Sequence, residues 1–82
     1  MKYYVYAVME VRDIATSAAV VDFFKVCASY EEALDVYRQQ VGEPRTIERV
    51  ESENGVHWAI DKDESGTAAI VRYVLEGELE QG

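Results

Sequence analysis

His57 and Cys27, the only histidine and the only cysteine, are the side chains best suited to nucleophilic chemistry. Such a pair works when the imidazole lies within hydrogen-bond reach of the sulfur and a third group orients it. Nothing in the sequence brings the two together, since His57 stands beside Trp58 in a strand-like segment and is expected to face outward, opposite Glu51. The chain also has no glycine-rich phosphate loop, serine triad or CxxC motif. The sequence therefore predicts a protein that is not an enzyme.

The segment 61–66, DKDESG, matches the first half of a calcium-binding loop. Asp61 and Asp63 take ligand positions and Gly66 takes the turn position, but Arg72 stands where the bidentate glutamate is required. We interpret the segment as a polar hairpin turn closed by Gly66. Neither a metal nor any other cofactor is predicted.

Carboxylates are the remaining candidates for function. The chain has 16 acids and 8 bases, a net charge of −8. This charge repels phosphate backbones and anionic membranes, so it predicts no direct nucleic-acid contact and favours a basic protein partner. Alternate strand residues lie about 7 Å apart on one side, near the phosphate spacing of a nucleic-acid strand. The acids expected to contact a partner on this basis are Glu48, Glu51, Glu53, Asp61, Asp63 and Glu64. The alternative is that they only form a solvated face.

A helix is the element most clearly encoded. Ser29 and Glu32 form a capping box, and apolar residues then recur at three- and four-residue spacings up to Val41. Gly42 supplies a C-cap and Pro44 cannot continue the helix. A helix this short needs a surface to pack on.

The first strand is predicted over 2–11, because apolar residues occupy every odd position from Tyr3 to Val11. We expect this odd set to face the core. The even set begins with Tyr4, Tyr6 and Val8, so the outer side of the strand is apolar as well, and Tyr4 and Tyr6 are expected to anchor a partner.

A second strand is predicted over 18–28, apolar on both sides. Such a strand lies centrally in a sheet or under a contact surface. One of Phe23 and Phe24 must point to each side. Because Asp22 and Lys25 interrupt it, this stretch does not form a membrane span.

The remaining strands are predicted over 45–53, 56–61 and 67–76, with Asn54-Gly55 as a hairpin turn. Two registers compete for this hairpin. A two-residue turn pairs Glu51 with Trp58, whereas a three-residue turn pairs Val50 with Trp58 and buries more apolar surface.

The predicted order is β-β-α-β-β-β, an α+β fold with one antiparallel sheet of four to five strands and one helix on one face. Residues 1–77 are expected to form a single domain and 78–82 an acidic C-terminal tail. A cytoplasmic protein is predicted, since a lone cysteine requires no oxidising compartment.

Two functions follow from these features. The first is a small acidic protein that inhibits or regulates a basic partner by occupying its nucleic-acid-binding surface. In size and charge the chain resembles phage-encoded inhibitors of the anti-CRISPR and anti-restriction classes, a resemblance that implies a viral protein acting in the host cytoplasm on a nucleic-acid-binding complex. The alternative is an assembly module that forms a homodimer through the outer sheet face, without an inhibitory role.

Overall fold

The computed structural model describes residues 1–13, 15, 16 and 18–80. Five strands and one helix occur in the predicted order, which confirms the α+β class. The elements are β1 (Lys2–Asp13), β2 (Ala18–Cys27), α1 (Tyr30–Gln40), β3 (Glu48–Ser52), β4 (Gly55–Ser65) and β5 (Ala68–Glu78).

All five strands form one antiparallel sheet in the order β2-β1-β5-β4-β3. β1 lies inside the sheet between β2 and β5, and β2 and β3 form the two edges. Of the two predicted positions for β2, the central one is therefore wrong, and a position under a contact surface stays a prediction. Beyond β5, two backbone hydrogen bonds join Leu79 to Met1, so pairing continues into the segment predicted as an acidic tail. Residues 81 and 82 of that tail lie outside the described residues.

Helix α1 begins at the predicted cap, although the Glu32 carboxylate bonds to the N–H of Ala28 and not to that of Ser29. The Glu32 N–H donates to the Ser29 Oγ over 3.1 Å, and the Glu32 carboxylate accepts the Ala28 N–H over 3.1 Å. Ala33, Leu34 and Tyr37 are the buried residues of the helix. The helix thus covers one side of the sheet, here called the helix face, and leaves the other side, the open face, without a covering element among the described residues.

The helix face of β1 carries the even-numbered residues, and the prediction that the odd set faces the core is wrong. Tyr6 is 0% exposed and lies in one cluster with Leu34, Tyr37 and Val74. The space between helix and sheet is filled by aromatic rings, and Tyr6 lies 6.2 Å from Tyr37 between centroids. Large side chains fill this layer better than the smaller odd set, and the tyrosine hydroxyls still reach polar partners at its margin.

The hairpin between β3 and β4 uses neither predicted register. Ser52 pairs with Gly55, so the turn residues are Glu53 and Asn54, and Val50 lies opposite His57. The Ser52 hydroxyl accepts the Asn54 N–H over 3.3 Å and closes this turn. His57 is therefore not opposite Glu51.

The predicted turn 61–66 is also shorter than expected. β4 continues to Ser65, and only Gly66 and Thr67 form the turn before β5. Gly66 has a φ of +61°, the left-handed conformation that glycine adopts without strain.

Candidate interaction surface

The open face is built from alternate residues of β1, β2 and β5, which the pairing brings side by side. None of these residues is charged, although 29% of the chain is. The residues of the open face on these strands are Tyr3, Val5, Ala7, Met9 and Val11 of β1, Ala19, Val21, Phe24 and Val26 of β2, and Ala69, Val71, Tyr73, Leu75 and Gly77 of β5. An uncharged apolar sheet face is a feature of interaction surfaces rather than of a solvated surface.

One line of residues across this face alternates in size. Phe24 pairs with Ala7, Ala7 pairs with Tyr73, and Tyr73 pairs with Ala59 on β4. We call this line the Phe24 row. Phe24 is 64% exposed while Ala7 is buried between its larger neighbours, so the row has a projecting ring, a gap, a second ring and a second gap.

A shallow apolar depression lies at the far end of the Phe24 row. It has a volume of about 310 Å³. Its lining residues all belong to the open face of β4 and β5: His57, Ala59, Val71, Tyr73 and Leu75. The same face therefore carries both a projecting phenylalanine and a recess into which an apolar side chain fits.

The Gly77 end of the open face is closed by Tyr3. The two residues are paired across β1 and β5, and a Cβ built on Gly77 would lie 2.2 Å from the Tyr3 ring. Only glycine leaves room for the ring to lie across the backbone at this position.

The six acids predicted to contact a partner do not form one row. Asp61, Asp63 and Glu51 lie on the helix face, whereas Glu48 of β3 and Glu64 of β4 lie on the open face. Glu53 is in the hairpin turn.

Four of these acids are also paired with bases. Asp61 and Asp63 both accept from Arg72, Glu51 from Arg49, and Glu64 lies 2.8 Å from the Lys62 ammonium. Of the six acids, Glu48 and Glu53 are the two that have no basic partner within the described residues.

A polar seam joins the helix to the sheet at Asp61. The Tyr37 hydroxyl donates to this carboxylate over 2.7 Å and Arg72 donates over 2.9 Å. Burial, followed by the hydrogen bond to Asp61, raises the pKa of Tyr37 to about 12. Hydrogen bonding to Asp61 likewise raises the pKa of Arg72. The seam borders a depression of about 650 Å³. Because Tyr37 and Arg72 both bond to the Asp61 carboxylate, we interpret the seam as a contact that stabilises the packing of the helix on the sheet.

The two tyrosines predicted to anchor a partner belong to the core of the molecule instead. Tyr6 is wholly buried and its hydroxyl donates to Gln40 over 3.4 Å. Tyr4 packs against Trp58 and Tyr30, with ring centroids 6.0 and 6.4 Å away. Phe24, on the open face, is the more exposed of the two phenylalanines at 64%, whereas Phe23 is 38% exposed and lies on the helix face, 6.1 Å from the Tyr6 ring.

Cys27 and His57 do not form a nucleophile–base pair. Cys27 is buried on the helix face of β2 and His57 lies on the open face of β4, with two strands between them. Burial raises the pKa of the Cys27 thiol, which makes it a weaker nucleophile at neutral pH.

The described residues contain neither a metal-binding cluster nor a membrane-spanning helix. Among the described residues, no group of three or more His, Cys, Asp or Glu side chains is placed to hold a metal ion. In the same part of the chain, no helix has the length and apolar character needed to cross a membrane.

Sequence reasoning missed the open face because it placed the odd residues of β1 in the core. A signal was present: the odd positions of β1 from Tyr3 to Val11 carry no charge, whereas Lys2, Glu10 and Arg12 all belong to the even set. Comparison of the chain with family models, curated proteins and solved structures finds no match.

Proposed function

We propose that this chain is a non-enzymatic assembly module that forms a homodimer by packing two open faces together. The single observation that carries the proposal is the absence of charge from the open face of β1, β2 and β5 in a chain of net charge −8. Two copies can meet there without bringing carboxylates into contact. A basic partner finds no complementary charge on this face.

The area of the face suits a stable dimer. Strands lie about 4.8 Å apart and rise about 3.3 Å per residue, so the four long strands β1, β2, β4 and β5 present roughly 700 Å². Protein interfaces of standard size bury about 800 Å² on each partner. Two sheets packed in this way form a sandwich with the helices outside.

The Phe24 row supplies the argument for a second copy rather than a different protein. A twofold axis along the strands, midway between β1 and β5, places β2 of one copy over β4 of the other and β1 over β5. Phe24 then lies over Ala59 of the second copy, and Ala7 lies over Tyr73. Each large side chain meets a small one, which is the self-complementarity that a twofold interface requires.

The test is the mass of the protein in solution. Light scattering and sedimentation equilibrium should give a dimer, and Phe24→Glu should raise the dissociation constant at least about a hundredfold, because the introduced carboxylate would be buried without a partner. Val20→Glu is the matched control, since it adds the same charge to the same strand on the helix face. A wild-type monomer at high concentration, or equal effects of the two variants, would contradict the proposal.

A second candidate is regulation of a basic partner, including inhibition of nucleic-acid-handling machinery by occupancy of its binding surface. It is favoured by the ion pairs of the described residues, because six bases are already paired with acids and the remaining acids leave the outer surface strongly negative. The six bases within 4 Å of an acid are Lys2, Arg12, Arg38, Arg49, Lys62 and Arg72. The unpaired acids Glu48 and Glu53 are the first to test. Reversing both charges should weaken capture of a basic partner at low salt, whereas Phe24→Glu should not; binding that ignores salt would contradict this candidate.

A further inference from the structure

The two edge strands of the sheet differ in length and polarity, and therefore in how well they discourage pairing with a further strand. β3 has five residues, of which four are polar, a pattern that discourages edge pairing. β2 has ten residues, and only Asp22 and Lys25 are polar. No described element pairs with the outer edge of β2, so its free backbone groups form a template for one more strand.

Exposed apolar side chains of β2 occur on both sides of the sheet. Phe24 and Val26 lie on the open face, while Val20, which is 42% exposed, and Phe23 lie on the helix face. The proposed dimer covers only the open face. A strand added beside β2 would contact the exposed apolar side chains on both faces, because its own side chains point alternately to the two faces and lie beside those of β2.

A second copy does not suit this edge. In the proposed dimer the two β2 edges lie at opposite sides of the sandwich, so pairing of β2 with β2 would continue from dimer to dimer without closing. Each added chain would also bring a net charge of −8.

Carboxylates mark both ends of the edge. Asp13 pairs with Ala18 where β2 begins, and Glu32 accepts the Ala28 N–H just after β2 ends. Cationic residues on either side of an apolar segment would meet these two acids.

We infer that the β2 edge binds an extended segment of a different protein, apolar in its centre and flanked by lysine or arginine, as an added antiparallel or parallel strand. The inference rests on the proposed function, because the face-to-face dimer is what keeps the β2 edges apart. Main-chain hydrogen bonds hold the segment, and Val20, Phe23, Phe24 and Val26 select its side chains.

The probe is a short peptide of alternating valine and threonine with lysines at both ends. Fluorescence anisotropy should show saturable binding, and hydrogen exchange should show protection of the β2 amides. N-methylation of alternate peptide residues removes the main-chain donors on one side of the peptide. Methylation on the side that faces β2 should weaken binding about tenfold or more, and methylation on the other side should not.

Two variants on one line across the helix face provide the matched control. Val20 of the edge strand β2 and Ile70 of the interior strand β5 both pair with Glu10 of β1. Their side chains are similarly exposed, at 42% and 36%. Val20→Lys should weaken peptide binding, since it places a like charge beside the added strand, whereas Ile70→Lys should leave it unchanged.

Light scattering on the same samples separates this inference from the proposed function. A protein that is monomeric but binds the peptide at β2 contradicts the dimer and supports the added strand. Equal binding of the two methylated peptides by the dimer would overturn the inference. Protection of the β2 amides without peptide, in samples that contain species larger than a dimer, would overturn it as well.

Discussion

At the scale of single residues, the burial of Tyr37 and its hydrogen bond to Asp61 make the stability of the protein depend on pH in the alkaline range. The folded protein holds the pKa of Tyr37 at about 12, above about 10 for an unfolded tyrosine. The stabilisation is therefore fully present below pH 10 and is lost as pH rises through 12. Its size is roughly 2 to 3 kcal/mol.

Tyr37→Phe should lower the free energy of unfolding by about 1 to 2 kcal/mol at neutral pH and should abolish this part of the alkaline loss. Urea unfolding of both proteins at several pH values from neutral to alkaline measures the difference. Because other tyrosines titrate in both proteins, only the difference between the two curves reports Tyr37. Parallel curves up to the highest pH would show that the hydroxyl is not held protonated.

Gly77 provides a second test at this scale. The Tyr3 ring occupies the space that a Cβ would need, so Gly77→Ala must displace the ring. We expect a loss of about 1 to 3 kcal/mol in unfolding free energy. Gly77→Ala combined with Tyr3→Ala should recover part of that loss, and a double variant no more stable than Gly77→Ala would indicate strain elsewhere.

The acids also show which part of the candidate site the sequence can reveal. It reveals that Asp61 and Asp63 are two residues apart, in a segment predicted as a turn, but not that they lie on a strand where Arg72 of the neighbouring strand contacts both. Pairing across strands depends on register, and register depends on turns that close one or two residues from their expected position.

At the scale of elements, the helix is the part that local sequence determines. Its cap, its apolar stripe and its end follow from short-range contacts within 29–42, and the structure has all three. The side of β1 that receives the helix is different, because the alternation over 2–11 favours the odd set as the core side, although Tyr4, Tyr6 and Val8 make part of the even set apolar as well. The choice is made by volume, since the rings of Tyr4 and Tyr6 fill the space beneath the helix.

Removing the cap should therefore loosen the helix without changing the sheet. Ser29→Ala should cost about 1 kcal/mol of unfolding free energy, while Ser29→Asp should keep most of it, because aspartate also accepts the N–H of Glu32. Thermal unfolding followed by circular dichroism compares the three proteins. Equal midpoints for wild type and Ser29→Ala would contradict a stabilising cap.

At the scale of the whole molecule, the charges and the apolar face are segregated. The charged residues lie on the helix face, on β3 and β4, in the turns and on the helix, while the open face of β1, β2 and β5 has none. The sequence predicted the order of elements and the excess of acid. It did not predict this segregation, which emerges only when the pairing aligns the uncharged sets of three strands.

Segregation gives the dimer a salt dependence opposite to that of most acidic complexes. Two chains of like charge repel over a Debye length of about 30 Å at 10 mM salt and only about 8 Å at 150 mM, while the uncharged open face of β1, β2 and β5 contributes no ion pair between the two chains. The dissociation constant of the dimer should therefore fall as salt rises. Sedimentation velocity at the two salt concentrations measures it, and the basic peptide at the β2 edge should show the reverse trend in the same buffers. Dimers that dissociate on adding salt would show that attraction between opposite charges, and not the open face, holds the two chains together.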